Sequence, residues 1–141
     1  MSDSSRPPWL ATAIPIAAVY FVVGRLFASL AGAATSTQGR TSLRLTAWIL
    51  SAVAFTVHIG LERLRFRSSA VTTAIHVAVA VAFGAFGLAG AAALRAPVDP
   101  NVPRGPMLLA LVAWPLITGV PAFVVAWIAA NVLGRARADK P

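Results

Sequence analysis

Residues 70–94, AVTTAIHVAVAVAFGAFGLAGAAAL, decide the fold class of this chain. The stretch contains no Asp, Glu, Lys or Arg, and it exceeds the roughly 20 apolar residues that an α-helix needs to cross about 30 Å of hydrocarbon. A soluble protein of this length has too small a core to hide such a helix, whereas a bilayer surrounds it with apolar solvent. The stretch therefore predicts a transmembrane helix.

Three further apolar runs extend this interpretation along the chain, over residues 9–30, 45–61 and 107–133. Hydrophobic residues make up 58% of the sequence and charged residues 11%, against about 25% charged in ordinary soluble domains. The connections between the runs are short, so neighbouring helices are expected to be antiparallel. The predicted fold is an all-α integral membrane protein, with residues 1–141 forming a single antiparallel bundle of four transmembrane helices with short loops.

The positions of the basic residues predict the orientation, because cytoplasmic loops carry an excess of Lys and Arg. Seven basic residues fall on one side of the predicted membrane and four on the other. The seven are Arg6, Arg63, Arg65, Arg67, Arg135, Arg137 and Lys140, and the four are Arg40, Arg44, Arg95 and Arg104. Both termini are therefore expected in the cytoplasm, with a bacterial inner membrane as the expected location. A competing interpretation treats the first run as a signal peptide cleaved after Ala31-Gly32-Ala33.

Several function classes are excluded or disfavoured by composition. The net charge of +8 does not indicate nucleic-acid binding, because the basic residues lie between apolar runs. No cysteine is present, which excludes disulfides, thiolate metal sites and thiol catalysis. The acidic residues are expected in tails, in loops or at a helix end, which disfavours a carboxylate proton relay across the bilayer; they are Asp3, Glu62, Asp99 and Asp139. No catalytic constellation is evident, so an enzyme is not expected.

His58, Glu62 and His76 form the most specific constellation in the sequence. His58 and Glu62 are four residues apart and share one face of the second helix. A compact turn over residues 62–69 is expected to bring His76, on the third helix, to a similar depth. The two imidazoles could ligate the iron of a haem b, or could bind one metal ion together with Glu62. The alternative is two ordinary polar residues near the membrane interface, hydrogen-bonded to backbone or water.

Small residues in the third run predict close helix packing. Gly84, Gly87 and Gly90 recur every three residues, which differs from the four-residue spacing of the GxxxG dimer motif. Packing within the chain is the favoured interpretation. The alternative is a surface for another membrane protein or for a second copy of the chain.

The fourth run carries Pro115, Gly119 and Pro121 near its midpoint, and this combination predicts a kinked or unwound helix. Broken helices at this depth form substrate sites in many transporters, although a plain proline kink is the favoured interpretation. Prolines at every third position of residues 95–106 predict a stiff extended loop before this helix.

Arg25 is the single formal charge inside a predicted span. It is expected near the outer edge of the hydrocarbon, where an arginine can extend to the headgroups. An anion site facing the bundle interior and an ion pair with Asp99 are the alternatives.

Three functional hypotheses follow from these features. The first is a non-enzymatic accessory subunit that packs against a membrane partner through its glycine-rich helix. The second is a haem- or metal-binding membrane protein that uses His58 and His76, with Glu62 as a further metal ligand. The third is a small channel or transporter for anions or neutral solutes, built around the fourth helix.

Overall fold

A computed structural model describes residues 8–95 and 104–138 of the chain, and every regular element in these two ranges is helical. The elements are α1 (Pro8–Ala33), α2 (Thr37–Gly60), a π-helical segment (Leu61–Arg65), α3 (Ala70–Arg95) and α4 (Arg104–Ala138). Four helical stretches within them are long and apolar enough to cross a membrane. The prediction of four membrane-length helices is confirmed. The extended proline loop and Asp99 fall outside the described residues.

The second helix begins at Thr37, well before the predicted start at Leu45. Ser36 has an extended backbone, and its hydroxyl accepts a hydrogen bond of 3.0 Å from the backbone N–H of Gly39. This is the contact by which a serine satisfies a free donor at a helix N-terminus. The polar residues that follow Ser36 are therefore helical, and the connection between α1 and α2 is shorter than predicted.

The second helix also extends past its predicted end at Leu61. The π-helical segment continues it to Arg65, and Phe66 N–H donates to the Leu61 carbonyl across five residues at 3.1 Å. Arg67 then adopts a positive φ of 54°, which reverses the chain. The predicted turn over residues 62–69 is therefore wrong in its first half, and Glu62 belongs to a helical segment.

The helices pack unequally. Contacts between α3 and α4 are the most extensive, α1 contacts both α2 and α3, and α2 touches α3 and α4 only slightly. A small apolar core lies near the π-helical segment, and its buried members are Ile59, Ala74, Val77 and Ala126. Elsewhere the helices carry exposed large apolar side chains, among them Trp48, Phe83 and Leu109. Such outward faces match apolar surroundings rather than water.

Two of the three glycines of the α3 stripe allow α1 to approach closely. A β-carbon on Gly84 would lie 2.7 Å from Tyr20 Cβ, and one on Gly87 would lie 2.9 Å from Cδ2 of Phe21. Gly90 has more room, because a β-carbon there would first meet Leu111 on α4 at 4.0 Å. The stripe is thus used largely for packing within the chain.

The fourth helix is continuous from Arg104 to Ala138, with Pro115 and Pro121 inside it. Of the two predicted outcomes, unwinding is not seen in the described backbone, and the favoured proline kink stays a prediction. Thr118 Oγ1 donates to the Trp114 carbonyl at 2.9 Å and lies 3.3 Å from the Pro115 carbonyl oxygen, so a side chain supplements the hydrogen bonding beside the proline. A β-carbon on Gly119 would meet Ala82 Cβ at 3.3 Å, so contact with α3 supports the helix at this point.

Candidate functional site

Glu62 lies at the end of the molecule where α1 and α3 begin and where α2 and α4 end. Its side chain is 1% exposed, although it follows a run of apolar residues and precedes three arginines. The π-helical segment inserts extra backbone into the helix at this point, a device that recurs at functional sites. The sequence predicted Glu62 at the end of the second helix, where a polar turn begins. The structure instead buries it among helices.

Three side chains from outside the π-helical segment contact the Glu62 carboxylate. Thr12 Oγ1 on α1 donates to Oε1 at 3.2 Å, and Ser68 Oγ in the turn donates to Oε2 at 2.9 Å. Nδ1 of His76 on α3 lies 3.0 Å from Oε2. The Ser68 backbone N–H also donates to the Glu62 carbonyl at 3.0 Å. One carboxylate thus connects α1, the turn and α3.

His58 is fully buried beside the same carboxylate, with its Nε2 4.0 Å from Glu62 Oε1. This distance is longer than a hydrogen bond, and neither ring nitrogen has a hydrogen-bond partner among the described residues. The hydroxyl of Thr73, also buried, is unpartnered in the same sense. Buried polar groups in proteins are nearly always hydrogen-bonded to protein or water. His58 and Thr73 are therefore buried polar groups without a hydrogen-bond partner among the described residues.

Trp9 fixes the orientation of the second histidine. Its ring stacks on the His76 imidazole with 4.9 Å between the ring centroids and an angle of 15° between the planes. The stacking covers one face of the imidazole while leaving Nδ1 directed at Glu62. An indole face is attractive for an imidazolium cation, so this contact strengthens when His76 is protonated.

Arg63 neighbours Glu62 in sequence but directs its guanidinium elsewhere. Its Nε donates to the Ala130 carbonyl of α4 at 2.9 Å, and Nη1 donates to the Ser68 carbonyl at 2.6 Å. Nη2 packs so closely on Gly134 that a β-carbon there would overlap it. Within residues 8–95 and 104–138, the charged neighbours of the Glu62 carboxylate within ion-pair distance are the two histidines.

The structure therefore brings together the three side chains that the sequence singled out, His58, Glu62 and His76. In the described part of the chain, no three His, Cys, Asp or Glu side chains are arranged to hold a metal ion. The contact of His76 Nδ1 with Glu62 does not decide for or against haem, because a histidine held in this way can still ligate iron through Nε2. The haem hypothesis stays a prediction, and the full burial of His58 means that a haem could reach that ring only if the helices moved apart.

The comparisons with known proteins add no template for this site. No family model, curated protein or solved structure matches the chain. Its function has to be argued from its own residues.

Two members of the site, Thr12 and Ser68, were not anticipated from the sequence. Both are ordinary helix or turn residues by pattern, and they reach Glu62 only through the packing of α1 and the reversal at Arg67. Trp9 carried a weak signal as an interfacial aromatic residue at the start of a span. Arg25, in contrast, is half-buried on α1 and lies remote in sequence from the Glu62 contacts.

Proposed function

We propose that this chain is an integral membrane protein that takes up a proton at the cluster of Glu62, His58 and His76, and that this uptake alters the contacts between its helices. The observation that carries the proposal is a 1% exposed carboxylate contacted by α1, the turn and α3, next to a fully buried histidine without a hydrogen-bond partner among the described residues.

The cost of burying a carboxylate supports a bound proton. An isolated carboxylate in apolar surroundings is strongly disfavoured, and ionisable residues within membrane segments are functional in most cases. Arg63 is engaged with backbone carbonyls, so an arginine does not neutralise Glu62. Imidazole is the side chain whose ordinary pKa lies closest to neutral pH, and two imidazoles face this carboxylate. One proton distributed among the three side chains compensates the charge.

The hydroxyls around Glu62 can accommodate either protonation state. Thr12 Oγ1 lies 2.9 Å from the Trp9 carbonyl oxygen and 3.2 Å from Glu62 Oε1, yet a hydroxyl has one proton to donate. When Glu62 is ionised, Thr12 donates to it. When Glu62 is protonated, the carboxylic acid can donate to Thr12, which then donates to the Trp9 carbonyl. A change in the protonation of Glu62 therefore reverses the direction of the hydrogen bond between Thr12 on α1 and Glu62 in the π-helical segment.

The proposed orientation follows from the charges and from the contacts at this end. We propose four antiparallel transmembrane helices with both termini in the cytoplasm of a bacterial cell, because the sequence predicts seven of the eleven basic residues outside the spans on the Glu62 side. The contacts of α1 with the site favour retention of the first helix rather than its cleavage as a signal peptide.

Trp9 supplies an optical test of the proposal. The full chain in lipid nanodiscs is titrated between about pH 5 and about pH 8 while tryptophan emission is recorded. Subtraction of the Trp9→Phe signal isolates Trp9 from the other three tryptophans. We expect a sigmoidal change in the Trp9 signal, which Glu62→Gln displaces and His76→Gln abolishes. Infrared difference spectra over the same range should contain a carboxylic-acid band that is absent from Glu62→Gln.

Arg65→Gln provides the matched control, because Arg65 is an exposed charge on the same segment. The pH dependence of Trp9 emission in Arg65→Gln should follow that of the unsubstituted chain. A Trp9 signal that is independent of pH, or a titration that Glu62→Gln leaves unchanged, would show that the cluster is a static polar network.

The contacts in the structure bear differently on each of the three functional hypotheses drawn from the sequence. The accessory-subunit role stays a prediction, but Gly84 and Gly87 face α1 and do not favour it. The channel hypothesis depended on a break at Pro115 and Pro121, and α4 is continuous there. The cofactor hypothesis identified the cluster itself, and proton binding accounts for its contacts without a ligand between the histidines.

A further inference from the structure

A second polar feature lies at the opposite end of the molecule from Glu62. A groove of about 650 Å³ runs between the C-terminal half of α1 and the N-terminal half of α2, with one side chain of α4 completing its wall. It is lined by Gly24, Phe27, Ala28, Ala31, Gly32, Arg40, Arg44, Ala47, Trp48 and Trp114. None of these residues belongs to the Glu62 cluster, so the groove is a separate candidate for ligand binding.

The floor of the groove suits an extended hydrocarbon chain. The α1 side is formed mainly by Gly and Ala, and a β-carbon on Gly32 would meet no atom within 4 Å. Small residues on a helix surface let another apolar chain lie close to the backbone. Phe27 and Ala47 continue this apolar surface.

The mouth of the groove is positively charged. Arg40 and Arg44 are four residues apart, so both side chains lie on the same face of α2. Nε of Arg40 donates to the Ala34 carbonyl at 3.1 Å, which holds the guanidinium near the connection between α1 and α2. The N-terminus of α2 adds the positive end of a helix dipole. Glu62, the single acidic residue of the described part, is at the far end of the helices.

Two tryptophans add apolar surface to the groove. Trp48 follows Arg44 by one helical turn on α2 and is 75% exposed, and Trp114 on α4 is also exposed. An indole ring offers a large apolar face for contact with an acyl chain. Basic side chains beside an apolar channel match a molecule with an anionic head and an acyl tail.

We propose that this groove binds one anionic phospholipid, with its phosphate against Arg40 and Arg44 and one acyl chain along the small residues of α1. The assignment holds for either orientation of the chain in the membrane, and it does not depend on the proton site. Guanidinium groups form paired hydrogen bonds with phosphate oxygens, which accounts for two arginines at the mouth.

Native mass spectrometry of the full chain released from detergent tests the assignment. Phosphatidylglycerol and phosphatidylcholine with identical acyl chains are added in equal amounts, and bound lipid is counted for each. We expect one retained phosphatidylglycerol in preference to phosphatidylcholine. Arg40→Gln and Arg44→Gln should each weaken phosphatidylglycerol binding about fivefold, the factor that corresponds to about 1 kcal/mol for a basic residue near a membrane surface.

Two controls distinguish lipid binding in the groove from nonspecific attraction of an anionic lipid to basic residues. The double variant Arg65→Gln, Arg67→Gln removes the same charge at the other end of the molecule and should retain the lipid. Gly32→Leu fills the groove without altering charge, and the open space at Gly32 makes a folding defect unexpected. This variant should lose the bound lipid.

Three results would overturn the proposal. The first is equal retention of the two lipids. The second is an equal loss of phosphatidylglycerol binding in two double variants, one with Arg40→Gln and Arg44→Gln and the other with Arg65→Gln and Arg67→Gln. The third is displacement of phosphatidylglycerol by an equal concentration of inorganic phosphate, which would assign the site to free phosphate.

Discussion

Nδ1 of His76 lies 3.0 Å from Oε2 of Glu62, although the two residues belong to different helical elements separated by a turn. The contact joins the beginning of the π-helical segment to the first turns of α3. The Trp9 ring stacks on His76, and the Ser68 hydroxyl donates a second hydrogen bond to the same Glu62 oxygen. The energetic importance of the contact between His76 and Glu62 can be measured separately from any proton uptake.

Removal of the Glu62 carboxylate should destabilise the protein strongly. Glu62→Ala leaves His76 and Ser68 without their acceptor, and each buried polar group left without a partner costs about 1 to 3 kcal/mol. Glu62→Gln keeps the shape and an amide oxygen, so its loss should be smaller. Thermal unfolding followed by circular dichroism in one detergent ranks the two variants. Equal midpoints for Glu62→Ala and the unsubstituted chain would contradict the contacts described for the site.

Glycines of α3 that are close in sequence should respond differently to the same substitution. Gly84→Ala places a methyl group 2.7 Å from Tyr20 Cβ and 3.2 Å from the Ala17 carbonyl oxygen, and such overpacking costs about 1 to 3 kcal/mol. Gly90→Ala meets only Leu111 at 4.0 Å and should change stability by less than about 0.5 kcal/mol. The thermal unfolding midpoints of Gly84→Ala and Gly90→Ala, measured under the same conditions, test this difference in stability. A larger loss for Gly90→Ala would place the α1 contact elsewhere on α3.

Arg63 is expected to be structural, unlike its exposed neighbour Arg65. Arg63→Ala removes charge-assisted hydrogen bonds to the carbonyls of Ala130 and Ser68, each typically contributing about 1.5 to 3 kcal/mol. Arg65→Ala should be nearly neutral. Arg63→Lys should recover little, because one ammonium does not reproduce the forked guanidinium geometry. Protease sensitivity of the turn at residues 66–69 reports local loosening, and identical cleavage rates in all three variants would argue against this role.

The purified protein should be colourless. His58 is fully buried among side chains, so a haem could reach its ring only if the helices moved apart. An absorbance spectrum of protein isolated from haem-replete cells measures this directly. A Soret band that disappears in both His58→Ala and His76→Ala would reinstate the haem hypothesis and remove the proton site as the function of the cluster.

The orientation proposed from the basic residues predicts the behaviour of topology reporters. A reporter that is active only outside the cytoplasm should be silent when fused after Pro141 and active when inserted at Asn101. Activity after Pro141 would reverse the proposed orientation, and the cluster at Glu62 would then face the external side.

Sequence reasoning captured the features that depend on composition and local spacing. Length and apolarity identify the helices at residues 70–94 and 107–133, and the four-residue spacing places His58 and Glu62 on one face. The start of α2 was missed because the capping hydroxyl of Ser36 outweighs the polar character of the residues after it. The contacts of Thr12 and Ser68 with Glu62 could not be foreseen, because they depend on the packing of segments far apart in the chain.

Whether Glu62 is buried depends on its angular position around the helix axis, and the π-helical segment sets that position. Each residue of an α-helix advances the next side chain by about 100° around the axis. Deletion of one residue at Leu61 would allow ordinary α-helical winding and would rotate Glu62 by about that angle relative to His58 and Thr12. The carboxylate would then be turned away from the Thr12 hydroxyl that donates to it, while hydropathy and net charge would be almost unchanged. The polar centre of this protein is therefore encoded by the count of residues before it as much as by their identity.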